Sequence, residues 1–256
     1  MLIATDIGNS SITIGYFLDT GLVVQRIPTY PLQGADEYRL LLLSFMEEKN
    51  IAKSVCNGII SSVVSSHTGV FREVLKGLWG EEKADILVVD STVSGIGFRI
   101  PAPEQLGTDR LSNAVAAFSL FKRPVVVIDF GSATTITVVD RQGYYIGGSI
   151  MPGISLMNES LGTKTSKLKK VELKEPGSAL GRDTIGCILT GLLIGTAGAV
   201  ERIIEEMETE TGLIFSTILT GGYSSLIAGF IRRSYMLRPD LTLEGLKILH
   251  EKNRPQ

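Results

Sequence analysis

The sequence predicts an α/β protein of two similar lobes, each built on a mixed sheet flanked by helices. Two observations carry that expectation. A segment recurs: residues 5–17 read TDIGNSSITIGYF and residues 128–140 read IDFGSATTITVVD, so Asp6 aligns with Asp129 and Gly8 with Gly131 at an offset of 129 − 6 = 123 residues. Each copy then opens the same plan, a three-stranded meander followed by alternating helix and strand, which calls for mixed sheets covered by helices. The chain of 256 residues has room for one large domain or for two of roughly 120 residues. The boundary is expected near 121–124, giving an N-terminal lobe over 1–121 and a C-terminal lobe over 122–256.

In the first half, residues 2–6, 12–17 and 22–27 read as short strands joined by turns, the second turn being Asp19-Thr20-Gly21. Residues 36–50 have helical spacing, with Leu40, Leu43 and Met46 or Phe45 on one face. Residues 58–62 form a small apolar strand, 70–78 an amphipathic helix, and 86–89 a buried strand ending at Asp90. Pro101 and Pro103 make 91–106 loop-like, and Thr108 or Asp109 opens a helix running through Leu120. The second half repeats the order. Strands are expected at 125–129, 134–139 and 144–149, then a helix from Pro152 to about Leu161. The polar stretch 162–177 reads as flexible, and a long helix covers about 183–209. The chain closes with a strand at 214–220, a helix at 224–232, a strand at 235–237 and a helix at 241–251.

The repeated hairpins carry the chemistry. An aspartate near the end of a strand, followed by glycine and hydroxyls in a tight turn, suits a metal-bound polyphosphate. The carboxylate faces the cation, and backbone N–H groups and hydroxyls donate to phosphate oxygens. In the first copy these are Asp6, then Gly8, Asn9, Ser10 and Ser11; in the second, Asp129, Gly131 and Ser132. Either hairpin alone could be an ordinary turn serving geometry. A carboxylate after the apolar run 125–128 calls for a cation or several donors. Gly107-Thr108-Asp109-Arg110 stands at a loop-to-helix junction, where unpaired N–H groups and the Arg110 guanidinium attract anions; Asp109 could also be a helix N-cap and nothing more. Thr184 in Gly181-Arg182-Asp183-Thr184 sits near the first turn of the long helix, where capping and ligand contact are both open. Residues 147–153 and Thr220-Gly221-Gly222 are further glycine turns that allow close approach of a ligand.

Together these segments resemble the type III pantothenate kinases, members of the acetate kinase, sugar kinase, heat-shock ATPase and actin superfamily. The resemblance runs in order through DIGNSS at 6–11, GTDR at 107–110, DFGSATT at 129–135, GGSIMPG at 147–153, TSKLKKVEL at 165–173, GRDT at 181–184 and TGG at 220–222. It implies actin-like (ribonuclease H-like) lobes with a nucleotide in the cleft between them. It also implies phosphorylation of pantothenate by ATP, the first step of coenzyme A synthesis, in a cytoplasmic homodimer that uses Mg2+ and a monovalent cation, K+ or NH4+. Carried over position by position, Asp6, Ile7, Gly8, Asn9, Ser10, Ser11, Ile12 and Thr13 form the ATP phosphate loop, with Asp6 facing magnesium, and Ser132 contacts ATP. Gly107, Thr108, Asp109, Arg110 and Thr184 bind pantothenate, Asp109 accepts the proton, and Asp129 binds the monovalent cation. The chain departs from the family where an aromatic residue commonly precedes the GxDR loop: Ile100 stands there, with Phe98 close by. Serines replace the familiar threonines at Ser10 and Ser132 and keep the hydroxyl. Another small-molecule kinase of the superfamily, or a non-catalytic regulator on the same fold, are the competing readings.

Bulk properties narrow the partners. A net charge of −2 with interspersed signs gives no footprint for nucleic acid or an anionic membrane. The basic run 164–174 is broken by Glu172 and reads as a solvated loop. Residues 185–200 are apolar yet short for a membrane span, so a buried helix is expected, with Gly191, Gly195 and Ala199 allowing close packing on one face. No signal peptide is expected, because Asp6 falls within the first strand. Cys56 and Cys187 are expected to be two buried thiols, and the isolated His67 and His250 do not suggest a metal site or triad.

Overall fold

In the computed structural model, which describes residues 1–52, 57–80, 85–90, 92–93 and 95–253, β1 (Leu2–Ile7), β2 (Ser11–Leu18) and β3 (Gly21–Pro28) form the expected antiparallel meander. Apolar side chains alternate across the pleat: Ile3, Ile12, Ile14 and Tyr16 are fully buried. Helix α1 (Ala35–Glu48) leads to β4 (Asn57–Ser62), which pairs parallel with β1, and α2 (Ser65–Trp79) leads to β5 (Asp85–Val88). The sheet order is β3-β2-β1-β4-β5. Tyr38, Leu42 and Met46 of α1 and Phe71, Val74 and Leu75 of α2 close the core over it.

The second sheet repeats that order, as the duplicated sequence requires. Strands β7 (Val125–Phe130), β8 (Ala133–Val139) and β9 (Tyr144–Pro152) form the meander, while β10 (Ser216–Thr220) and β11 (Tyr235–Leu237) add parallel strands on the other side of β7. The order is β11-β10-β7-β8-β9, extended at β9 by the two-residue β6 (Gly97–Phe98). Helices α4 (Ile154–Lys164), α5 (Thr184–Thr211) and α6 (Ser224–Ala228) belong to this half. Along α5, Leu193, Ala197, Val200 and Ile204 recur at helical spacing and pack on Val126, Ile128 and Leu219 within one core. Asp183 caps the helix by accepting from Gly186 N at 2.7 Å, and Gly212 ends it in the left-handed conformation with φ 65°. By length and composition α5 is also apolar enough to cross a membrane; 44% of its most apolar window is buried inside the protein.

Two compact units emerge, and their limits differ from 1–121 and 122–256. The first comprises residues 1–95, 101–116 and 242–256, the second 96–100 and 117–241. The division therefore falls inside α3 (Thr108–Phe121), and α7 (Leu241–Lys252) returns to the first unit. The reason is apolar burial: Leu243, Leu246 and Leu249 are at most 1% exposed. Polar ties join them, Thr242 Oγ1 to Asn113 Oδ1 and Lys252 Nζ to Gly95 O, each at 2.9 Å. Gly97 and Phe98 join the second unit because they pair with Tyr144 and Tyr145.

Other expectations are corrected. Pro152 does not begin a helix; it closes β9 opposite Ala133, a strand-end position where its missing N–H costs nothing, and α4 starts at Ile154. The 162–177 stretch contains no helix beyond Lys164 and no strand, yet it is fastened. Asn158, 1% exposed on α4, donates through Nδ2 to Val171 O at 2.7 Å and accepts from Val171 N at 3.0 Å. Cys187 is exposed, in the first turns of α5, and its Sγ lies 3.4 Å from Gly181 O. Cys56 lies outside the described residues.

Candidate active site

The phosphate-type hairpin of the first unit is the β1–β2 turn. Asp6 pairs with Thr13 across it, and Gly8 N donates to Ser11 O at 3.0 Å. Asn9, Ser10 and Ser11 are exposed, Gly8 and Thr13 half-buried. Ile7 and Ile12 are fully buried, so their side chains serve the core and only their backbones are available to a ligand. Thr29, just beyond β3 and fully buried, braces this turn. Its Oγ1 donates to Gly8 O at 2.6 Å and its N to Ser10 O at 3.3 Å. Its carbonyl oxygen lies 2.8 Å from Nε2 of the buried His67, whose Nδ1 lies 3.1 Å from Ser66 Oγ.

The carboxylate of Asp6 is tied to a second predicted segment. Asp6 lies opposite Ser61 in the parallel β1–β4 pair, and Ser61 Oγ donates to Asp6 Oδ1 at 2.8 Å. The same Ser61 Oγ lies 2.9 Å from Thr108 Oγ1, which also accepts from Ser62 N at 3.1 Å. One hydroxyl, fully buried at the end of β4, thus stands between the hairpin aspartate and the Gly107–Arg110 loop.

That loop is the start of α3. Leu111 N donates to Gly107 O at 3.1 Å, so Gly107 occupies the cap position and Asp109 lies within the first helical turn. Asp109 is therefore not the N-cap. Its Oδ1 accepts from Arg110 N at 2.7 Å, and Arg110 Nη2 lies 3.5 Å from Gln105 O. Thr108, Asp109 and Arg110 are all half-buried. A half-buried carboxylate among helix N–H groups, beside a guanidinium, suits a group that must meet a polar substrate.

In the second unit Asp129 pairs with Thr135 and with Thr220. The spacing across the turn is 135 − 129 = 6, against 13 − 6 = 7 in the first unit, so the second hairpin is one residue shorter. Ser132 O accepts from Gly153 N at 3.2 Å, which brings the 147–153 segment onto this turn. Gly221, with φ +91°, crosses beside Asp129, where any Cβ would collide with the carboxylate. The Asp129, Ser132, Gly153 and Gly221 segments therefore meet at one end of the sheet. Thr184 is elsewhere in the unit: exposed at the first position of α5, it lines a cavity of about 470 Å³ with Lys167, Lys169, Lys170, Lys174 and Ile188. Ile100 and Phe98 both belong to this second unit.

Ser61, Thr29 and His67 were missed by motif reading, because none belongs to a glycine turn. Only the parallel register of β1 with β4 makes Ser61 visible, and that register is not written in any local pattern. Among the described residues there is no cluster of three or more His, Cys, Asp or Glu able to hold a metal ion. Single carboxylates with neighbouring oxygen donors, as at Asp6 and Asp129, suit hard cations that keep water or phosphate as their other ligands.

The model of the family described as type III pantothenate kinase matches residues 2–206. A type III pantothenate kinase of Dehalococcoides mccartyi is 38% identical over 99% of this chain and 98% of its own. One from a Roseiflexus species is 38% identical over 99% of this chain and 100% of its own. Among solved structures, a protein from Sinorhizobium meliloti described as a 2-dehydro-3-deoxygalactonokinase superposes with a TM-score of 0.60 at 14% identity, covering 100% of both chains. The activator of the 2-hydroxyisocaproyl-CoA dehydratase from Clostridium difficile, solved with bound ADPNP, gives 0.54 at 10% identity over 100% of this chain and 98% of its own. The structural likenesses show the fold alone, an α/β architecture of mixed sheets flanked by helices. The family match over most of the chain, together with relatives aligned end to end, shows that this chain belongs to the type III pantothenate kinase family.

Proposed function

We propose that this chain transfers the γ-phosphoryl group of ATP to the primary hydroxyl of pantothenate, giving ADP and 4′-phosphopantothenate, the opening step of coenzyme A synthesis. The observation that carries the reading is the tie through Ser61, which sets the phosphate-type hairpin and the GTDR loop side by side in one unit. A donor loop and an acceptor loop held together are what a phosphoryl transfer needs, since positioning and charge neutralisation supply most of its catalysis.

Residues 6–13 hold the phosphates of ATP, the buried Ile7 and Ile12 through their backbones, and Ser132 supplies a further contact to ATP. Gly107, Thr108 and Arg110 bind pantothenate. With Asp109 Oδ1 engaged by Arg110 N, its other oxygen accepts the proton of the pantothenate hydroxyl. That hydroxyl oxygen bonds to the γ-phosphorus, the bond from phosphorus to the β–γ bridging oxygen breaks, and ADP carries away the electron pair. Thr184 takes part in substrate binding. The lysines and apolar residues of its cavity suit a ligand that is both aliphatic and anionic, as pantothenate is. Asp6, through water, would hold Mg2+, and Asp129 would hold K+ or NH4+; such cations offset the charge of the triphosphate. The working form is a cytoplasmic homodimer. Gly191, Gly195 and Gly198 of α5 are exposed, with open space where a side chain would stand, so a second copy can pack closely on that face.

The test is pantothenate-dependent ADP release with K+ or NH4+ present and withheld, in the natural chain and in Asp109→Asn. Loss of the base should lower kcat by about 10²–10⁴-fold. Near-normal turnover by a folded variant would show that Asp109 is not the proton acceptor.

A further inference from the structure

We infer that Ser61 is a positioning residue that locks the nucleotide-binding carboxylate and the substrate loop into one unit, so that disturbing Thr108 weakens nucleotide binding through Asp6. The inference rests on the assignment of Asp6 and Thr108 made above. It follows from counting hydrogens. An ionised carboxylate only accepts, so the single Ser61 hydroxyl hydrogen goes to Asp6 Oδ1, 2.8 Å away. The 2.9 Å contact between Ser61 Oγ and Thr108 Oγ1 must then be donated by Thr108. Thr108 Oγ1 in turn accepts from Ser62 N at 3.1 Å. Ser62 O, at 3.4 Å, is the poorer acceptor for the Thr108 hydrogen.

The result is a chain of donors pointing one way: Ser62 N–H to Thr108, Thr108 to Ser61, Ser61 to Asp6. Each link aligns the next, and the final bond is to a charge, the stronger kind. Ser61 is fully buried, so water does not readily replace a missing link. The role of the two hydroxyls is to hold Asp6 at one angle and to make that angle depend on where the first turn of α3 sits.

Nucleotide binding, measured without the second substrate, tests the chain. Titrating a non-hydrolysable ATP analogue with Mg2+ into the whole protein by calorimetry should give about tenfold weaker binding for Ser61→Ala, because a bond to a charged group is lost. Thr108→Val should weaken it by a similar factor although Thr108 belongs to the pantothenate loop. The double variant should bind no more weakly than Ser61→Ala, and Thr108→Ser should restore near-natural affinity. Unchanged affinity in Thr108→Val, or losses that multiply to about a hundredfold in the double variant, would overturn the inference. Failure of the pantothenate reading shows up separately, as absence of pantothenate-dependent ADP release by the natural chain, and leaves the nucleotide titration decisive.

Discussion

Replacing Thr29 by valine keeps the side-chain shape and removes one hydroxyl. That hydroxyl donates to Gly8 O at 2.6 Å from a fully buried position, and the Thr29 backbone holds Ser10 O at 3.3 Å. His67 fixes the backbone from behind: its Nε2 donates to Thr29 O at 2.8 Å, and its Nδ1 lies 3.1 Å from Ser66 Oγ. Loss of one such bond, with its acceptor left half-buried, costs about 1–2 kcal/mol. In a protein of this size that lowers the melting temperature by roughly 2–4 °C per kcal/mol. Because the bond ends on the turn proposed to hold the ATP phosphates, the same energy should raise KM for ATP by about 5–30-fold, with KM for pantothenate little changed. Thr29→Ser separates packing from positioning. It keeps the donor and loses a methyl, so it should melt lower yet retain the natural KM for ATP. Steady-state kinetics with each substrate varied, beside thermal melts, decides the matter. A valine variant with natural KM for ATP, or a serine variant as impaired as the valine one, would refute the brace.

Two further substitutions test the sheets. Tyr16 donates to Gln25 Oε1 at 2.7 Å, and burial pushes its phenol above the ordinary 10.0. The folded state therefore holds that proton to higher pH than the unfolded chain, so its contribution is complete below pH 10.0 and is lost as pH rises beyond it. Tyr16→Phe should cost about 1–3 kcal/mol by leaving the Gln25 oxygen unpaired and should flatten the alkaline fall in stability, read by urea unfolding across pH. Gly148→Ala puts a Cβ into the Ile136 carbonyl within the β8–β9 pair. Backbone cannot retreat as a side chain can, so a loss of about 3 kcal/mol is expected by the same measurement, and an unaffected variant would contradict the observed register.

Much of the architecture could be read from the chain. The two meanders were legible because alternation and turn residues are local signals, and the duplication made each copy evidence for the other. Ends were less so. Pro152 suits a strand end as well as a helix start, and only the pairing with Ala133 decides between them. The two-residue β6 depends wholly on its partner β9. Of the candidate site, the acidic and glycine positions were visible because their chemistry is unusual, whereas Ser61 and Thr29 look like any other strand hydroxyl. Their importance comes from neighbours 55 and 21 residues away in the chain. Cys187 was expected inside because cysteine is usually buried; its place in the first turns of α5 puts it at the surface.

The return of α7 to the first unit reaches into biosynthesis. Ribosomes release a chain from its beginning, and domains commonly fold in that order. Here the residues with Leu243, Leu246 and Leu249 emerge after the first unit's other buried residues, so that unit stays without part of its core until they do. The bulk of the other unit, an uninterrupted run over 117–241, is out of the tunnel sooner. The unit whose sheet is made first is thus the unit that must wait.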